Sequence, residues 1–305
     1  MSYFRGRTDL AVEAREFIEE AEGELHGVVI QEYEEKECDV RVTKVMITTK
    51  NGAKAMGKPI GTYITLDAPG LMEPDEGYHR EVSMIIAKNL RELLPDPQKE
   101  KSILVVGLGN IDVTADALGP GVVNNLLITR HMLEQFGKAA YNCDKMNRIS
   151  AVIPGVMGKT GMESTEIVKG IVHQTMPDVV VAIDALAARS TKRLNRTIQL
   201  TNTGIHPGSG VGNHRDAMTE ESLGVTVIAI GVPTVVDAAT IVNDAIEKIS
   251  ETMGEKKLAL YAKETEAVSE LNNMYVTSKD IDATIKRLGF TVSEGLNRAF
   301  DFEED

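Results

Sequence analysis

Two runs of this sequence lack a polar face. Residues 102–109 read SILVVGLG and residues 178–184 read DVVVAID. A strand that is apolar on both sides has to be covered on both sides, as in a parallel sheet flanked by helices. From residue 102 onward the pattern alternates. Helical composition over 117–136 is followed by the strand ISAVIP, a helix over 164–175, the strand DVVVAID, and the strands TIQLT and VTVIAIG. Helices over 237–253 and 279–300 complete the series. Alternation of this kind predicts an α/β fold, a three-layer sandwich with a largely parallel central sheet.

The first hundred residues read differently. Residues 9–24 have helical composition with Asp9 at the N-cap position. HGVVIQEY, TKVMITT and GTYITLDA are short and rich in Val, Ile and Thr, with Asn51-Gly52 as a turn signal, and predict antiparallel strands flanking the main sheet. Residues 78–94 return to helical periodicity, closed by Pro95 and Pro97. Residues 251–273 are polar and irregular, a loop or insertion. Neither a repeat nor a low-complexity linker divides the chain, which reads as one domain over residues 1–305, with flanking elements over 10–100, the α/β core over 101–250 and a variable loop and last helix over 251–305.

Composition narrows the function. A formal net charge of -13 and a scarcity of aromatics, with no Trp, argue against direct nucleic-acid binding. The longest apolar run, residues 225–236, is broken by Gly231 and Pro233 and is too short to cross a bilayer. The N-terminus has no apolar signal core, and Cys38 and Cys143 have no metal-ligand spacing, so a reduced, cytoplasmic protein without membrane contact is expected.

The chemistry concentrates where strands end. Asp116, in VTADALGP, and Asp184, in AIDALAARS, each follow an apolar strand. Carboxyl ends of parallel strands share one edge, where ligand sites form. Two carboxylates there are equipment for general acid/base hydrolysis, and one of a close pair is expected to have a raised pKa. Taken singly, each aspartate has a plainer reading as a helix cap. GLGN after the first strand lacks the third glycine of a dinucleotide fingerprint, so Gly109 and Asn110 imply a tight backbone turn instead, with their amides expected to face a substrate oxygen. Two further glycine-rich loops should line the same edge: residues 152–164, with Gly155, Gly158 and Lys159, and residues 203–215, with His206, Gly208 and Gly210. Their amides can approach a substrate carbonyl, and Lys159 or Arg189 could hold a carboxylate or tune an aspartate. No cofactor is required. A metal held by Asp116, Asp184 and His206 stays open. His131 lies on a helix and reads as structural.

The segments RTDLAVEA, VVGLGN, VTADALGP, NLLITRH, IPGVMGKTG, AIDALAARS, TGIHPGSGVGNHR and IAIGVPTVVDA, in that order, closely resemble the germination protease family of spore-forming Firmicutes. The likeness spans residue 7 to about residue 244 and resumes in MYVTSKDID and GLNRA. The resemblance implies a fold like that of the hydrogenase maturation endopeptidases and an atypical aspartic endopeptidase, with Asp116 and Asp184 catalytic. It also implies small acid-soluble spore proteins as substrates, action in the spore core during germination, a homotetramer, and synthesis as a zymogen. That family cleaves after an acidic residue, and Thr8-Asp9-Leu10-Ala11 resembles its sites. Residues 1–9 would then be a pro-segment removed by self-cleavage between Asp9 and Leu10. The segment is polar and terminal, and is expected to be mobile enough to reach an active-site edge. Two rivals share the fold: a maturation-type endopeptidase and an inactive assembly protein.

Overall fold

The computed structural model describes residues 9–14, 26–36, 38–141, 143–207, 216–253, 271 and 274–302. Among these residues nine strands form one sheet, in the order β1 (Val28–Glu35), β2 (Val40–Ile47), β3 (Gly61–Asp67), β7 (Thr197–Thr201), β8 (Thr226–Asp237), β6 (Val179–Ala188), β4 (Ser102–Gly107) and β5 (Arg148–Val152), with β9 (Tyr275–Val276) paired to β8. The ladders from β8 through β6 and β4 to β5 are parallel, and those from β1 through β2, β3 and β7 to β8 are antiparallel. The expected flanking strands are thus continuous with the central sheet. β4 and β6 carry almost no exposed position because both faces are covered.

One face packs on α2 (Glu76–Leu93), α3 (Leu118–Val123) and α7 (Ile281–Phe300): Ile86, Leu90, Leu118, Leu288 and Val292 meet Ile103, Val105, Val181 and Ile183. The other packs on α5 (Ser164–Thr175), whose Val168 and Val172 meet Leu104, Val106, Val180 and Ala182. Each such fully buried aliphatic side chain contributes about 1.5–3 kcal/mol. α6 (Ala238–Met253) follows β8. Cys38 and Cys143 are not joined in a disulfide.

Three local expectations give way. Asn51-Gly52 is not a hairpin turn: it lies in α1 (Lys50–Met56), capped by the Thr49 hydroxyl accepting from the Gly52 N–H at 3.1 Å. The helix expected over 117–136 breaks into α3 and α4 (Arg130–Phe136). The interruption is drawn out by tertiary bonds: Leu127 N–H donates to Asn297 Oδ1 at 2.9 Å and Thr129 N–H to the Ile149 carbonyl at 3.1 Å. β6 does not stop at Asp184 but runs on to Ala188 beside a lengthened β8. The early helical segment is helical over 11–14, and its remainder lies outside the described residues, as does most of the irregular 251–273 stretch.

Candidate active site

Asp184 sits where the β4–β6 ladder ends. Gly107 pairs with Ile183, and the Leu108 N–H donates to the Ile183 carbonyl at 2.8 Å, after which β4 turns away and β6 continues. Asp184 is 6% exposed, and its Oδ1 accepts from the Ala185 N–H at 3.0 Å. With β6 running on as strand, Asp184 is no helix cap. Asp184, Gly231 and Gln199 are register partners across β6, β8 and β7, so all three face the same side of the sheet.

Asp116 is placed by a network of backbone bonds. The Asn110 N–H donates both to the Asp116 carbonyl at 3.1 Å and to Asp116 Oδ2 at 2.9 Å, and the Asp116 N–H donates to Val113 at 2.8 Å. Gly109, at φ 117°, permits this: a Cβ there would collide with the Asp116 carbonyl oxygen. Gly107 and Gly119 likewise abut backbone to backbone. β8 secures the turn from below. Between Leu186–Pro233 and Ala187–Val235 the register slips by one residue, and the extra residue, Thr234, donates its hydroxyl to the Ala115 carbonyl at 2.6 Å. Asp116 therefore does not cap α3, whose first turn has no side-chain cap. The turn Thr114–Asp116 packs against β6 and β8, so both aspartates share one end of the sheet. The Asn110 amide, expected to face a substrate oxygen, is instead committed to Asp116.

The loop with Gly155 and Gly158 closes on the same turn through an ion pair between Lys159 and Asp112. Lys159 thus pairs with Asp112 on that turn. Gly155 has φ 74° and Gly158 lies in the one-turn helix Met157–Thr160. Gly208 and Gly210 lie outside the described residues. His131 is exposed on α4. His206 is largely exposed, and partial burial, reinforced by the nearby Lys58 ammonium and opposed by Asp9, lowers its pKa. Among the described residues no three His, Cys, Asp or Glu side chains group as a metal site.

Among the described residues, the segment that begins at Asp9 is tied down. Residues 9–13 cross the extension of β6: Asp9 N–H donates to Ala187 at 3.3 Å, Ala187 N–H to Asp9 Oδ2 at 3.1 Å, and the Arg189 and Ser190 amides to the Glu13 carboxylate at 2.9 and 3.0 Å. Leu10 and Ala11 are fully buried, and Leu10 packs on Leu186, Ala188 and Val236. Ala11 N–H donates to Gln199 Oε1 at 2.6 Å. The Asp9 carbonyl accepts from Lys58 Nζ at 2.8 Å and from Gln199 Nε2 at 3.2 Å. Burial lowers the Lys58 pKa, against the raising effect of Asp9 and Glu13. Tyr63, its hydroxyl pushed up to about 12 by burial, donates to the Pro59 carbonyl at 2.9 Å and pins the loop bearing Lys58. Sequence reasoning missed Lys58 and Gln199. The signal for Gln199 was a long polar side chain in the middle of a wholly buried strand, TIQLT.

A family model for germination proteases, peptidase family A25, matches residues 7–268. The germination protease of Caldanaerobacter subterraneus is 47% identical over 313 residues, covering 96% of this chain and 93% of that relative. Those of Clostridium perfringens and Bacillus cytotoxicus are 45% and 40% identical, covering 96% and 100% of this chain and 94% and 96% of theirs. Among solved structures, a NiFe hydrogenase maturation protease, HycI from Thermococcus kodakarensis, aligns over 48% of this chain and 80% of its own at 18% identity and a TM-score of 0.29. The chain is an endopeptidase, a hydrolase acting on protein substrates. It belongs to the germination protease family.

Proposed function

We propose that this endopeptidase initiates degradation of small acid-soluble spore proteins in the spore core during germination, as a homotetramer made as a self-processing zymogen. Asp116 and Asp184 form its acid/base pair. One deprotonates the water that attacks the scissile carbonyl, and the other delivers a proton to the leaving nitrogen. The observation that carries this reading is a segment with an acidic residue followed by Leu10-Ala11, held on the strand extension that follows Asp184. Backbone amides of the Gly155–Gly158 and Gly208–Gly210 loops are the candidate oxyanion donors. A metal at Asp116 and Asp184 would supply a Lewis acid for the same attack, and the carboxylates suit a hard cation.

The decisive experiment incubates purified protein with a small acid-soluble spore protein, with and without chelator, and follows the enzyme's own N-terminus by mass spectrometry. Cleavage of the substrate together with a chain beginning at Leu10 is expected. An active chain still beginning upstream of Asp9 would overturn the self-processing part. Loss of activity in chelator, restored by a divalent cation, would assign the metal.

A further inference from the structure

Asp9 presents its carbonyl oxygen to two side-chain donors of different strength. Lys58 Nζ stands at 2.8 Å and Gln199 Nε2 at 3.2 Å. These donors come from distant parts of the chain, the loop after α1 and the centre of β7. Neither is needed for a secondary-structure ladder. Around the same peptide bond, the Asp9 carboxylate is held by the Ala187 amide and the Leu10 side chain by Leu186, Ala188 and Val236. Gln199 also fixes the far side of the bond, its Oε1 accepting from Ala11 N–H. Gln199 and Asp184 face the same side of the sheet with only Gly231 between them, a position where a Cβ would strike Leu186.

We propose that Lys58 and Gln199 are the carbonyl-polarising pair for hydrolysis of a peptide bond that follows an acidic residue, first in the chain itself at Asp9–Leu10 and then in protein substrates bound the same way. The inference rests on the self-processing reading above. Water oxygen bonds to the Asp9 carbonyl carbon and gives its proton to one active-site carboxylate. The carbonyl oxygen becomes an oxyanion between the Lys58 ammonium and the Gln199 amide, which replace the glycine-loop amides as its donors. The carbon–nitrogen bond then breaks, the other carboxyl supplies a proton to the Leu10 nitrogen, and Asp9 leaves with a terminal carboxyl group. A cationic donor beside an amide donor suits a developing negative charge better than the neutral ground-state carbonyl, which is the condition for lowering the barrier.

The test uses the full chain with Lys58→Met, Lys58→Arg and Gln199→Glu. The last keeps the acceptor for Ala11 N–H and removes the donor toward Asp9. Two rates are read: appearance of the chain beginning at Leu10, and turnover of a peptide with an acidic residue before the cleaved bond. Lys58→Met and Gln199→Glu should each slow both by about a hundredfold, in kcat more than in KM, with Lys58→Arg partly restored. If the wild-type chain cuts the peptide but never itself, the self-processing reading fails, and the turnover data alone decide on the pair. If both variants process and turn over at the wild-type rate with only a lowered melting temperature, the pair is structural and the inference is wrong. Should Lys58→Met not fold, Gln199→Glu decides by the same readouts.

Discussion

At the scale of single residues, the two aspartates differ in how they are held, and that shapes what substitution should do. Asp116 accepts from the Asn110 amide, and Asp184 accepts from the Ala185 amide while buried. An asparagine carbonyl oxygen can take over either acceptor role, so Asp116→Asn and Asp184→Asn should fold and melt close to wild type. Each loses a titratable group, and a positioned acid or base contributes about 10²–10⁴ in rate. Turnover measured beside thermal melts checks this, and near-wild-type turnover in either variant would end the paired-carboxylate mechanism. The placement of both aspartates at one end of the sheet and the tight turn at Gly109 were legible in the sequence because strand ends and tight turns leave local marks. Lys58 and Gln199 were not, because a lysine after a helix and a glutamine in a strand acquire meaning only when residues 9, 58 and 199 meet.

At the scale of elements, hydrophobic pattern located most strands and helices, and it failed where long-range bonds end or extend an element. Residues 124–129 have no local reason to leave the helix that outweighs their bonds to Asn297 and Ile149. The extension of β6 past Asp184 depends on β8, whose Pro233 offers no N–H and whose next residue forms the bulge. That bulge has a testable purpose. Thr234→Val keeps the β-branched shape and removes the hydroxyl that binds Ala115. The net loss of one such hydrogen bond is about 1 kcal/mol, which in a chain of this length lowers the melting temperature by roughly 2 °C. Because the bond tethers the turn carrying Asp116, turnover at a temperature well below melting should fall as well. Unchanged turnover would mean that the network around Gly109 and Asn110 orients Asp116 without help from β8.

At the scale of the whole molecule, an antiparallel half and a parallel half share one sheet, and the helix pair α2–α7 covers the face that spans both. Their contact includes Gly295, where a Cβ would meet Ile86, and His79, which bridges the two helices. The ring lies buried, with Nδ1 2.6 Å from the Thr291 hydroxyl and Nε2 donating to the Glu73 carbonyl at 3.0 Å. Burial is the main cause that lowers its pKa, with Arg287 adding to the shift and the Glu73 bond and Asp75 opposing it. The sign follows from linkage. Below the ordinary imidazole pKa of about 6.5, the unfolded chain takes up a proton at this position that the folded chain refuses. Stability from this group is therefore fully present above that value and is lost as pH falls toward the folded pKa, so the helix pair should loosen on acidification. In His79→Gln the proton uptake disappears. Denaturant unfolding between about pH 7 and pH 5 should show a steeper loss of stability in the wild type than in the variant. Parallel curves would mean that the folded chain accommodates the charged imidazolium between Thr291 and Glu73, and that His79 does not set acid stability.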